Sequence, residues 1–153
     1  MPSTPATLHL EKILHSYTRR LEALPEEVYD WKPQPEKWSK KEILGHLVDS
    51  AQNNIRRFIV AQYEDIPVIR YEQDDWVACS NYQHYPTRDL VALWTLLNRH
   101  ITILLKQMSP AAAQRKCSMG GAPQTMEWVA ADYINHLLHH LHQILDLDPI
   151  AYP

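Results

Sequence analysis

Glycine is scarce in this chain, with three in 153 residues. Rossmann and P-loop proteins need glycine-rich turns where backbone amides close on phosphate, so neither class fits. Cysteine is rarer still. Cys79 and Cys117 are too few for a disulfide scaffold, and a reducing, cytoplasmic setting is the expectation. A basic surplus is missing too. Fifteen Lys and Arg stand against 18 Asp and Glu, a net charge of −3, which argues against a nucleic-acid partner. No stretch approaches the roughly 18 unbroken apolar residues of a membrane span, so no membrane association is expected. The opening MPSTPATLHLEK has no basic patch followed by an apolar run, and no leader peptide is read in it. Three sharp metal motifs are also absent. Leu137, not Glu, follows His136, which excludes the zinc-protease helix; no Glu-x-x-His pair marks a di-iron bundle, and no Cys-x-x-Cys marks a zinc module.

The chain is rich in two residues that matter, with 11 prolines and nine histidines. At 45% hydrophobic and 22% charged it can bury a core, and its length suits a single domain over 1–153. Proline is poorly tolerated inside helices, and every proline falls outside four stretches, 6–24, 39–64, 87–109 and 125–147. Each stretch repeats apolar residues at helical spacing, as in Leu10, Ile13, Leu14, Tyr17 and Leu21. Ser39 and Glu42 form a capping-box pattern at the second, and Thr87 and Thr125 are read as N-caps of the third and fourth. No alternating strand pattern competes. An all-α four-helix bundle follows. The link over about 65–86, with a short helix at 74–78, is long enough to run the height of the bundle, so a crossover and a simple up-and-down order both stay open.

The histidines cluster by direction. At about 100° per residue, with His136 as zero, the apolar arc of the last helix covers roughly 20° to 200°, and His140 lies at about 40°. His139 and His142 point away, at roughly 300° and 240°. His46 lies likewise on the border of the buried face of the second helix. One imidazole from helix two and two from helix four could converge at a seam, as an open three-imidazole metal site requires. A His-x-x-x-His spacing also arises by composition, and half-buried histidines often only hydrogen-bond, so a structural role stays open beside the metal one.

Three motifs carry a family resemblance. Trp38-Ser39, Glu42, Leu44, His46-Leu47 and Asp49 resemble the start of helix two in the DinB/YfiT-like superfamily. The run from His136 through Gln143-Ile144 resembles its last helix, and Arg70-Tyr71-Glu72-Gln73-Asp74-Asp75-Trp76-Val77 resembles the inter-helix segment of the YfiT-like branch. The resemblance implies a four-helix bundle holding one divalent metal, zinc or nickel, on His46, His136 and His140. It extends to homodimers that pair bundle faces, with His139 supporting the site at most from behind a ligand.

Characterised members of the superfamily include thiol S-transferases using low-molecular-weight thiols. The resemblance therefore implies a small-molecule substrate and a thiol held as thiolate by the metal, with no protein nucleophile. Cys79 and Cys117 are then packing or loop residues. Metal-assisted hydrolysis is the alternative, in which Asp49 or Glu42 would orient a water or the His46 ring, although both suit an ordinary solvated helix face equally. A non-catalytic binding bundle is the third reading. Trp38 and Trp76 could wall a pocket at the metal end, and Arg70 and Tyr71 could bind an acidic thiol. Trp94 and Trp128 sit at helical positions and read as core or seam packing.

Overall fold

The computed structural model describes residues 5–153. The first four residues of the segment in which no leader was read lie outside them. Four long helices form where the proline-free stretches predict them: α1 (Pro5–Ala23), α3 (Lys40–Val60), α5 (Thr87–Gln107) and α7 (Met126–Ile144). Between them lie the short helices α2 (Glu26–Asp30), α4 (Gln73–Ser80) and α6 (Pro110–Ala113), with one 3-10 turn at Tyr82–His84. Strands β1 (Lys116–Cys117) and β2 (Gln124–Thr125) pair antiparallel, a ladder that no alternation predicted because two residues are too few to alternate.

The helix starts follow local chemistry. Ser39 Oγ accepts from the Glu42 amide while the Glu42 carboxylate accepts from the Ser39 amide, which closes the expected capping box. Thr125 caps α7 by accepting from the Trp128 amide. Thr87 does not cap α5. Pro86 holds that position, and Thr87 is the first helical residue, its hydroxyl donating to Glu26 instead.

Helix polarity settles the topology. Lys41 at the start of α3 and Thr87 at the start of α5 both reach Glu26 Oε1, at 2.7 and 2.8 Å, so α3 and α5 run parallel. Lys40 meets Asp146 beyond the end of α7, so α3 and α7 are antiparallel. α1 and α3 each pack against both α5 and α7, which places α1 and α3 on opposite corners. Parallel neighbours need a connection as long as the helices. Twenty-one residues of α3 rise about 32 Å, and residues 61–86 make that return as a crossover.

Leu10, Leu21, Leu44, Phe58, Trp94, Ile101, Leu137 and Leu141 are fully buried between the four helices. Trp128 departs from the core or seam packing read for it, being 44% exposed on α7. On α3, polar residues fill much of the buried surface. His46, Asp49, Ser50, Asn53, Asn54 and Arg57 are all buried, while Ile59 is exposed. α4 and the 3-10 turn cover a face of α3 that a bundle of four helices alone would leave in water. That cover makes a polar interior along α3.

Candidate metal centre

His46 lies two turns into α3, and His136 and His140 face it from the antiparallel α7. The i, i+4 spacing stacks the α7 pair one turn apart, with ring centroids 4.6 Å from each other. The His46 ring lies 5.0 and 4.9 Å from them, edge-on in both cases. One nitrogen from each of the three rings falls within 4.8 Å of the other two. His46 Nε2 and His136 Nε2 are 3.0 Å apart. Zinc–imidazole bonds of about 2.0–2.1 Å place tetrahedral neighbours about 3.3 Å apart, so this spacing is close to that of ligands sharing one ion.

The tautomers suit coordination. His139 Nδ1 lies 2.5 Å from the Ile150 carbonyl, which only accepts, so that nitrogen carries the proton. His139 Nε2 then faces the Gln143 amide nitrogen at 3.4 Å, which turns Gln143 Oε1 toward His140 Nδ1 at 2.7 Å. His140 Nδ1 therefore donates, and its Nε2 keeps a free lone pair. His139 thus acts through Gln143 and is not itself one of the converging rings. His142 points away, as its projected direction required, and bonds Tyr17 and the Asp148 carbonyl.

Electrostatics point the same way. Burial pushes the His46 pKa down to about 4, with a contribution from His140. Burial and the neighbouring histidines take His136 down to about 2, and burial also lowers His140, against the opposing bond to Gln143. All three rings are neutral at ordinary pH, the state a metal ligand must have.

Asp49 is 1% exposed, which corrects the solvated-face reading. Tyr82 donates to its Oδ1 at 2.5 Å, while Oδ2 and the Nδ1 of His46 are both buried without a partner. Burial raises the Asp49 carboxyl to about 6 despite the Tyr82 bond. Tyr82 reaches it by packing its ring against Gly45, where a Cβ would meet the ring at 2.1 to 2.6 Å. Glu42, the other acid weighed, is tied to Lys32 and the Ser39 cap.

A cleft of about 430 Å³ opens beside the triad, lined by His136, His139 and His140 together with Arg57, Tyr71, Asp132 and Tyr152. Of the four residues expected around a substrate, Tyr71 lines this cleft. Trp76 packs behind Tyr71 with ring centroids 5.4 Å apart, and Trp38 packs on His46 at 5.0 Å. Arg70 is exposed and paired with Glu72 at 2.8 Å. Sequence reading missed Arg57, Gln143, Asp132 and Tyr152. Gln143 stood in the family-like run with no role given to it, and nothing local distinguishes the others. Tyr152 comes from the segment after α7, its ring 5.1 Å from His136 and its hydroxyl 3.0 Å from both Asp132 oxygens.

A family model described as the DinB superfamily matches residues 9–144. A protein of Halalkalibacterium halodurans, whose name proposes a metal-dependent hydrolase, is 31% identical over 109 residues, covering 70% of this chain and 63% of that protein. The chain therefore spans less than two thirds of that relative. YfiT of Bacillus subtilis, whose name proposes the same activity, is 23% identical over 141 residues, 90% of this chain and 79% of YfiT. The solved YfiT structure, described as an unusual four-helix bundle topology, superposes with a TM-score of 0.82 at 22% identity over 92% of this chain and 82% of that one. A mycothiol-dependent maleylpyruvate isomerase superposes with a TM-score of 0.73 at 12% identity, over 99% of this chain and 62% of its own.

Proposed function

The chain belongs to the DinB superfamily, and from that membership and the histidine geometry we propose that it is a metal-dependent thiol S-transferase acting on a small molecule. The observation that carries the proposal is the convergence of three neutral imidazoles from α3 and α7 within 4.8 Å. His46, His136 and His140 would hold one divalent ion, zinc or nickel, with His136 and His140 presenting it to the cleft that they line. Such an ion lowers the pKa of a thiol or a water in its remaining position, which supplies a nucleophile near neutral pH. The chain supplies the rest. Gln143 fixes the His140 tautomer, Trp38 packs against the His46 ring, and Tyr71 lines the cleft with the histidines.

Two facts favour a thiol brought by the substrate. Neither cysteine lines the cleft: Cys79 is exposed on α4 and Cys117 is buried beside β2. The isomerase that shares this fold is named as mycothiol-dependent. The names of the Halalkalibacterium and Bacillus relatives favour hydrolysis instead, which the same triad would serve with water as nucleophile.

Metal content of protein purified without a histidine tag, followed by thiol-transfer and ester-hydrolysis screens on the loaded form, separates these activities. Equilibrium titrations on five single alanine variants test the triad. Replacing His46, His136 or His140 should weaken metal binding strongly, and His142 should matter little. His139→Ala should have a smaller effect, of the size seen when a group behind a ligand is lost, about 10- to 100-fold at most. Full binding in His46→Ala, or equal losses across all five, leaves only a histidine cluster and removes the enzyme reading.

A further inference from the structure

Arg57 is a buried cation that the metal chemistry leaves unused. It is 7% exposed on α3, two turns beyond Asp49 and on the wall of the cleft that His136 and His140 also line. Its Nε and Nη2 both donate to the Ile69 carbonyl, at 3.1 and 3.0 Å, and its Nη1 donates to Asn54 Oδ1 at 3.3 Å. A guanidinium has five N–H groups, so one on Nη1 and one on Nη2 remain. Among the described residues no carboxylate forms an ion pair with it. The Tyr71 ring lies 6.0 Å from its centre, which favours the cation but does not neutralise it. Asp132 lies on the same cleft and its charge acts on Arg57 from a distance, but it makes no ion pair with it, and its two oxygens share the single Tyr152 hydroxyl.

A cation held out of water with no anion bonded to it is expensive, and holding one loop carbonyl and one amide oxygen would not require a full charge. The two unused donors belong to the group that lines the cleft. From this we infer that Arg57 is the anchor for a carboxylate on the substrate, so that the molecule entering the cleft carries a carboxylate besides the atom presented to the histidine triad. The guanidinium fork matches a carboxylate in plane and in charge, one against one. A phosphate near neutral pH carries more negative charge, which Asp132 on the same cleft disfavours. Arg70, the cation expected from the sequence, is spent on Glu72 in solvent. The inference rests on the cleft being the substrate site, and its test keeps the two apart.

The probes are 3-mercaptopropionate and 3-mercaptopropan-1-ol, which share a thiol and differ in the carboxylate. Their binding to cobalt-loaded protein is followed by the thiolate-to-cobalt charge-transfer absorption. Wild type should bind the acid at least about tenfold more tightly, the order of one charge-assisted hydrogen bond. Arg57→Gln should bring that ratio to near one while leaving alcohol affinity and cobalt stoichiometry unchanged. Equal affinities in wild type, or a preference that survives in Arg57→Gln, overturns the inference. A second measurement uses metal-free wild type and propionate, with the Arg57 Nη–H resonances as the signal. Saturable movement with propionate and none with propan-1-ol supports the anchor, and unmoved resonances overturn it. That arm decides the matter even if Arg57→Gln does not fold. It also holds if neither thiol reaches cobalt, a result that would refute the thiol reading alone.

Discussion

Replacing Gly45 by alanine tests how the second wall of the site is built. In an unobstructed helix interior the change should help, since alanine is favoured over glycine by about 1 kcal/mol. Here the new Cβ would sit 2.1 Å from Cδ2, 2.3 Å from Cγ and 2.6 Å from Cε2 of Tyr82. Cγ is the root of the ring, so a rotation about χ2 cannot clear it, and the whole residue must shift. Tyr82 is 5% exposed, and its hydroxyl holds Asp49 Oδ1. Overpacking of this kind costs about 1–3 kcal/mol. Losing a hydrogen bond to a charged group costs about 1.5–3 kcal/mol more. After the helix gain, a net loss of about 1.5–5 kcal/mol remains. At about 2–4 °C per kcal/mol for a chain of this size, the melting temperature should fall by roughly 3–20 °C. Urea unfolding of wild type, Gly45→Ala, Tyr82→Ala and the double variant makes the assay. In the Tyr82→Ala background the obstacle is gone, so Gly45→Ala should become neutral or stabilising. A Gly45→Ala protein as stable as wild type, or a penalty that persists without the Tyr82 ring, would refute the reasoning.

Acid should destabilise the metal-free protein. His46 and His136 bind protons less readily when folded, so the unfolded chain gains protons first as pH falls below about 6.5. Their contribution is complete above that pH and is lost as pH falls toward about 4 for His46 and lower for His136. A urea midpoint that stays flat between pH 7 and 4.5 would count against the burial of neutral rings. Asp49 has the opposite sign, because its raised carboxyl gives stability that fades as pH climbs from the ordinary aspartate value through about 6. Asp49→Asn should therefore stabilise metal-free protein by about 1–3 kcal/mol at pH 8, with the gain vanishing below pH ~4 and a steeper acid loss. An Asn variant less stable than wild type at pH 8 would show that the charge itself is needed.

Much of this protein is written locally. The proline pattern and the apolar repeats fixed where four helices lie, because a helix is excluded by proline within and promoted by an apolar stripe. Ser39, Glu42 and Thr125 marked two helix starts, since capping involves neighbours only three residues apart. The i, i+4 rise placed His136 and His140 together, and the direction of His142 was equally readable. Tertiary structure decided what depends on partners distant in the chain. Whether the link over about 65–86 crosses over was open until Glu26 met both Lys41 and Thr87. Asp49 read as a surface acid because a single helix shows only its own stripe, and the 3-10 turn that covers it belongs to another segment. Arg57 was invisible for the same reason, and Tyr152 reaches His136 only through the fold of the chain after α7. Helical periodicity sets the direction of a side chain on its own helix; which direction becomes interior depends on what packs against it.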